Sequence, residues 1–153
     1  WGPATTGCLC VNEMIRGLSH ITLMVTDLDR ARAFFEDVLG AREVYASGEQ
    51  TFSIAREKFF LLGDTWFAVM EGEAPPRSYQ HIALQIDEAD YNSWLKRIKD
   101  AGLEIRPGRD RVPGEGRSIY FYDHDNHLFE LHTGNLAERL ERYREGPGGH
   151  GES

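Results

Sequence analysis

Cysteine is nearly missing from this chain: of 153 residues only Cys8 and Cys10 carry a thiol, one residue apart. That is neither a disulfide framework nor a zinc spacing, so the fold must rest on a buried core, and a reducing, cytoplasmic setting is expected. No stretch approaches the roughly 18 consecutive apolar residues of a membrane helix. The opening WGPATTGCLCVNE also lacks a basic segment followed by an apolar run, so membrane spanning and secretion are both disfavoured. Positive charge is short as well: 17 Lys and Arg stand against 25 Asp and Glu, for a net −8. With no basic run to follow a phosphate backbone, nucleic acid is excluded as a partner, and the acidic balance reads as solubility.

What the chain does have is apolar residues in regular spacing, 41% of the total, enough for one compact domain. That domain is expected over residues 14–146. Residues 1–13, which precede Met14 and the first strand pattern, and residues 147–153 are expected as tails. GLSHITLMV (17–25) alternates, so that Leu18, His20, Thr22 and Met24 share one face. Thr26 and Asp27 are both helix-cap types. Apolar residues then fall at Leu28, Ala31, Phe34, Phe35 and Val38 before Gly40 ends the helix. Segments 42–47, 51–55, 58–62 and 65–71 read as β, and the first half is taken as a β-α-β-β-β unit.

The second half repeats the first. SYQHIALQI lies on GLSHITLMV and places His81 on His20. Asp87 is a cap for the next helix, Tyr91, Trp94, Leu95 and Ile98 form its apolar stripe, and Gly102 ends it as Gly40 ended the first. Strands near 103–106, 117–122 and 128–133 complete a second unit, and GEAPPR (72–77) links the two repeats, about 17–71 and 78–133. A C-terminal helix follows over 135–146, with Leu136, Leu140 and Tyr143 on one stripe. The expected class is α+β: tandem βαβββ modules forming a curved mixed sheet.

Three inward polar residues stand out in this pattern: His20, His81 and Glu130. Two imidazoles and one carboxylate make a facial set that holds a divalent metal and leaves its other positions open. Packing of the repeats is expected to set the two histidines opposite each other across a cleft. The first repeat's counterpart of Glu130 is about Val69, which binds no metal, so the symmetry is broken at one corner, as a catalytic site requires. His132, two residues beyond Glu130 on the same face, is placed to support the ligands. His124 and His127, in the turn DHDNH, are expected to be exposed.

The tandem β-α-β-β-β pattern with His, His and Glu resembles the vicinal oxygen chelate superfamily. Within it, GLSHITLMVTDL, AREVYASGEQTFSIAREKFFLLGDTW, RSYQHIA and EGRSIYFYDHDNHLFELHTGNLAERL resemble the fosfomycin-resistance epoxide hydrolases over almost all of residues 14–143. The resemblance implies a metal, usually Mn2+, on His20, His81 and Glu130, and water opening the oxirane of a small phosphonate. It also implies a homodimer with units exchanged between subunits. Glu57, in AREKFF, falls on the family's general base, and Arg139 on its phosphonate-binding arginine. Thr22 stands where a thiol-using branch has cysteine. The loop PGRDRVPGEGRS departs from the glutathione-transferase branch, whose potassium loop is shorter and carries a lysine.

Hydration of an epoxide needs an acid on the ring oxygen, a base for the water and donors for the phosphonate. Ser118 and Tyr120, on one face of RSIYFY, and Thr22 are the expected hydroxyl donors. Trp66 is the expected wall for the methyl end, and which of the loop arginines Arg109, Arg111 and Arg117 touch the phosphonate stays open. Two other functions stay open on this scaffold: a thiol transferase acting on the same epoxide, and a module that only sequesters a drug. Glu57 discriminates, because a thiolate arrives ionised and needs no base, and sequestration needs no metal.

Overall fold

The computed structural model describes residues 14–49, 53–108 and 115–146. The tails expected at 1–13 and 147–153 lie outside these residues. The first repeat runs β1 (His20–Val25), α1 (Leu28–Arg32) continuing as a π-helical turn (Ala33–Val38), β2 (Arg42–Ala46), β3 (Glu57–Leu62) and β4 (Thr65–Glu71). The second runs β5 (His81–Gln85), a 3₁₀ turn (Glu88–Asp90), α2 (Tyr91–Asp100), β6 (Ile105–Arg106), β7 (Ser118–Tyr122) and β8 (Leu128–His132). Helix α3 (Leu136–Glu145) closes the described chain.

Each repeat builds a four-stranded mixed sheet in the same order, β1-β4-β3-β2 and β5-β8-β7-β6. In each the first strand lies parallel to the last and the remaining pairs are antiparallel. The parallel pairing follows from the helix, which carries the chain back over the sheet. The Asp27 side chain starts α1 by accepting from the Asp29 and Arg30 amides at 3.0 and 3.1 Å. Gly40 and Gly102 end the two helical segments with φ of +77° and +71°, a conformation costly for residues with a Cβ.

Four expectations are corrected. Segment 51–55 is not a strand: residues 53–55 form a bend, and 51–52 lie outside the described residues. Asp87 stands at the cap position of the 3₁₀ turn, but its side chain accepts no capping hydrogen bond. The helix over 28–38 widens in its second half, where the Leu39 amide bonds the Phe34 carbonyl. Phe34 and Phe35, adjacent in sequence, are both buried in this segment. Finally, the registers pair His20 with Trp66 and Thr22 with Ala68, and His81 with Leu128 and Ala83 with Glu130. The counterpart of Glu130 is therefore Ala68, not Val69. Val69, one residue on, points to the opposite face and is fully buried.

The core explains which faces remain open. Phe35 stacks on Phe60 at 4.9 Å and Phe121 on Phe129 at 5.8 Å. Phe34 joins the repeats by touching Phe129 at 5.2 Å. Arg97 of α2 donates to the Val38 and Asp37 carbonyls at the end of the first helix. One apolar cluster thus combines the helices with the inner face of each sheet. The opposite faces, carrying His20 and Thr22 on β1 and His81, Ala83 and Gln85 on β5, stay exposed. The expected burial of the histidine faces against each other does not occur within the chain.

Candidate active site

The second sheet assembles most of a polar site from residues two apart on adjacent strands. His81 and Glu130 meet with Nε2 and Oε2 3.1 Å apart. The imidazole is oriented by its other nitrogen, which lies 2.8 Å from the Tyr79 carbonyl. As only a protonated Nδ1 can bond a carbonyl, Nε2 keeps its lone pair when the ring is neutral and presents it beside Glu130. On β7, opposite Glu130 and His132, stand Tyr120 and Ser118. Ser118 Oγ lies 2.5 Å from Glu130 Oε1 and 2.7 Å from His132 Nδ1. Arg139, one turn into α3, reaches His132 Nε2 at 3.3 Å. A cavity of about 310 Å³ opens over His81, Ala83, Glu130, His132 and Arg139.

Electrostatics keep this half of the site poised. Burial alone would raise the Glu130 pKa, but hydrogen bonds from Ser118 and Tyr120 hold it below the usual carboxylate value. Burial, and then the facing Glu130 charge, push Tyr120 up to about 12. It therefore remains a hydroxyl donor at neutral pH.

The first sheet carries the rest. His20 stacks on Trp66 with ring centroids 4.3 Å apart, and Phe59 meets the same indole edge-on. Ser19 Oγ lies 3.0 Å from His20 Nδ1. The cross-strand rows put His20 beside Trp66 and Leu61, Thr22 beside Ala68 and Phe59, and Met24 beside Met70 and Glu57. All are on one face. Glu57 is 8% exposed. Among the described residues its carboxylate makes no hydrogen bond or ion pair, so its oxygens are left open to a ligand or water.

The structure thus brings together His81, Glu130, Ser118, Tyr120 and Arg139 on one sheet, and His20, Thr22, Glu57 and Trp66 on the other. Among the described residues no three His, Cys, Asp or Glu side chains converge to hold a metal, so His20 does not join His81 and Glu130 within one chain. Ser118 has one hydroxyl proton, and it is directed at Glu130. Arg117 is taken up by Glu88, at 2.5 Å, and by the Tyr91 ring, 3.8 Å from its guanidinium. Arg109 and Arg111 lie outside the described residues.

Sequence reasoning missed the β7–β8 turn. His127, expected exposed, is only 10% exposed at its side chain and pairs with Asp123 at 2.7 Å. Asp125, 3% exposed, accepts from the Thr26 amide and hydroxyl at 3.1 and 2.7 Å and so ties the repeats together. The only signal was the density of Asp and Asn in DHDNH, typical of any turn.

With two βαβββ units and this polar set in place, comparison with known proteins gives the class. A family model described as the Glyoxalase/Bleomycin resistance protein/Dioxygenase superfamily matches residues 17–131, and the chain belongs to that superfamily. It is 58% identical over 134 residues to fosfomycin resistance protein FosX of Mesorhizobium japonicum, covering 87% of this chain and 96% of that protein. To FosX of Listeria innocua it is 56% identical over 131 residues, covering 85% and 98%. Its fold is similar to the crystal structure of a FosX variant from Listeria monocytogenes complexed with Mn(II) and 1S,2S-dihydroxypropylphosphonic acid. The TM-score is 0.79 at 54% identity, covering 84% of this chain and 100% of that one.

Proposed function

We propose that this chain is a manganese-dependent hydrolase that opens the epoxide of fosfomycin with water and so confers resistance to it. The observation that carries the reading is the ligand of the similar Listeria structure. A propylphosphonate with two adjacent hydroxyls is the epoxide of fosfomycin plus one water, the product of hydrolysis rather than of thiol addition.

His20, His81 and Glu130 would hold the metal. Two imidazole nitrogens and a carboxylate oxygen suit Mn2+, and the 3.1 Å between His81 Nε2 and Glu130 Oε2 is close to the roughly 3 Å separating neighbouring ligands about 2.1 Å from one ion. When bound, the metal supplies Lewis acidity at the oxirane oxygen and charge for the phosphonate. Glu57 takes a proton from the attacking water as the new C–O bond forms and the strained ring bond breaks. The freed ring oxygen becomes a hydroxyl with a proton from solvent. Arg139 presents planar N–H donors to the phosphonate and Thr22 adds a hydroxyl donor, while the Tyr120 hydroxyl, like that of Ser118, serves Glu130. Trp66 walls the methyl end.

Because the His20 face and the His81 face both look outward, the functional unit of this reading is a homodimer. The first sheet of one copy covers the second sheet of the other, with residues 14–146 as the working domain. Exposed Leu18, Tyr79 and Leu136 supply apolar surface for such a contact. No described helix is long and apolar enough to cross a membrane. A cytoplasmic setting goes with the scarcity of cysteine. The test is the mass of the product from fosfomycin and Mn2+ in isotope-labelled water, with and without glutathione. A diol carrying the solvent label is expected under both conditions. A glutathione adduct without diol would overturn the proposal.

A further inference from the structure

We infer that His132 is a positioning residue that passes a one-way chain of hydrogen bonds from Arg139 to the metal-binding carboxylate Glu130. The direction follows from proton counting. A guanidinium only donates, so His132 Nε2, 3.3 Å from Arg139, must accept. A neutral ring that accepts at Nε2 carries its proton on Nδ1, and that N–H faces Ser118 Oγ at 2.7 Å. The serine oxygen accepts it and directs its own proton to Glu130 Oε1, 2.5 Å away. Oε1 is thereby occupied, and Oε2, the oxygen beside His81, is left for the metal.

The backbone around the ring is built for this placement. A Cβ on Gly116 would come within 3.1 Å of His132 Cε1 and 2.3 Å of the Gly134 amide nitrogen. A Cβ on Gly134 would lie 2.9 Å from His132 Nε2. Two glycines that approach each other this closely leave the imidazole its space, and a larger residue at either position would move it. The first sheet offers a contrast: Met70 and Glu57 occupy the places of His132 and Ser118, and Ala68 that of Glu130. The chain of donors thus exists only in the repeat that keeps the carboxylate. It links the arginine that meets the phosphonate to the ligand that meets the metal.

The inference rests on Glu130 being a metal ligand, so the experiment separates the two. Mn2+ affinity of the full-length protein is measured by the loss of the free-ion electron paramagnetic resonance signal, alongside fosfomycin kinetics. Glu130→Ala must lose Mn2+, or the site reading itself fails. His132→Asn offers an amide donor where Nδ1 stood. It should keep Mn2+ affinity within about threefold while KM for fosfomycin rises, as Arg139 loses its acceptor. His132→Gln reaches the Nε2 position instead and should lose Mn2+ affinity about 10- to 100-fold, the usual effect of removing a ligand's supporting hydrogen bond. Ser118→Ala should match that loss, and adding His132→Gln to it should cost no more, because both cut the same chain. If Glu130→Ala loses Mn2+ while His132→Gln or Ser118→Ala binds it like the parent, the relay is wrong and the site reading stands. Equal losses in the Asn and Gln variants would overturn the direction assigned to it.

Discussion

Mixing two inactive variants should restore activity to a calculable level. His20 lies on the first sheet, whereas His81 and Glu130 lie on the second, and the chain does not bring the three together. In the proposed dimer each metal site takes His20 from one copy and the other two ligands from its partner. His20→Ala and Glu130→Ala should each be inactive alone. In chains co-expressed at equal levels, half of the dimers contain one of each. In those dimers one site combines the intact His20 of the second variant with the intact His81 and Glu130 of the first, while the other site carries both defects. Half the dimers with half their sites intact gives about one quarter of parental activity, and about one quarter of its tightly bound Mn2+. A second pair is the control: His81→Ala with Glu130→Ala leaves every mixed site one ligand short, so nothing should return. Activity per milligram and bound manganese after gel filtration are the readouts. No rescue in the first pair, or rescue in the second, would refute the division of ligands between copies.

Three further outcomes are expected. Glu57→Gln removes basicity from a nearly buried side chain while keeping its shape, so hydrolysis of fosfomycin under Mn2+ saturation should fall on the order of 10²–10⁴-fold. Its Mn2+ affinity should be unchanged; a loss below about threefold in turnover would place the base elsewhere. Phe129→Ala empties a fully buried position against Phe34 and Phe121, and urea unfolding should show a loss of about 3–5 kcal/mol. Asp125→Ala strands the Thr26 amide and hydroxyl at the junction of the repeats, for about 1–3 kcal/mol in the same assay. A value near zero would mean that water replaces the carboxylate there.

The fold was legible because its punctuation is local. Alternation in GLSHITLMV and the stripe over Tyr91–Ile98, with glycines 40 and 102 at the helix ends, place elements without any knowledge of their neighbours. The failures came where a distant partner decides. TFSIA has strand-like composition, but β2 pairs directly with β3, and residues 53–55 bend in the connection between them. Val69 was one residue off as the counterpart of Glu130, since the connections within the repeats differ in length and only hydrogen-bond register fixes the correspondence. In a strand one residue is the difference between the open face and the core.

Residue types at the site were legible for the same local reason, and their roles were not. His20 and His81 stand out by repeat position and Glu130 by its chemistry, yet which of them can meet depends on which faces the core consumes. Phe34 and Phe35 direct the helices into the space between the sheets, and the phenylalanines of β3, β4, β7 and β8 follow them there. That choice turns the histidine faces outward and keeps His20 apart from His81 and Glu130 within one chain. In the proposed reading, the aromatic core of this chain is therefore what calls for a second copy. Substitutions that loosen Phe34 against Phe129 should then lower Mn2+ binding as well as stability, since that core joins the two sheets whose outward faces carry the proposed ligands.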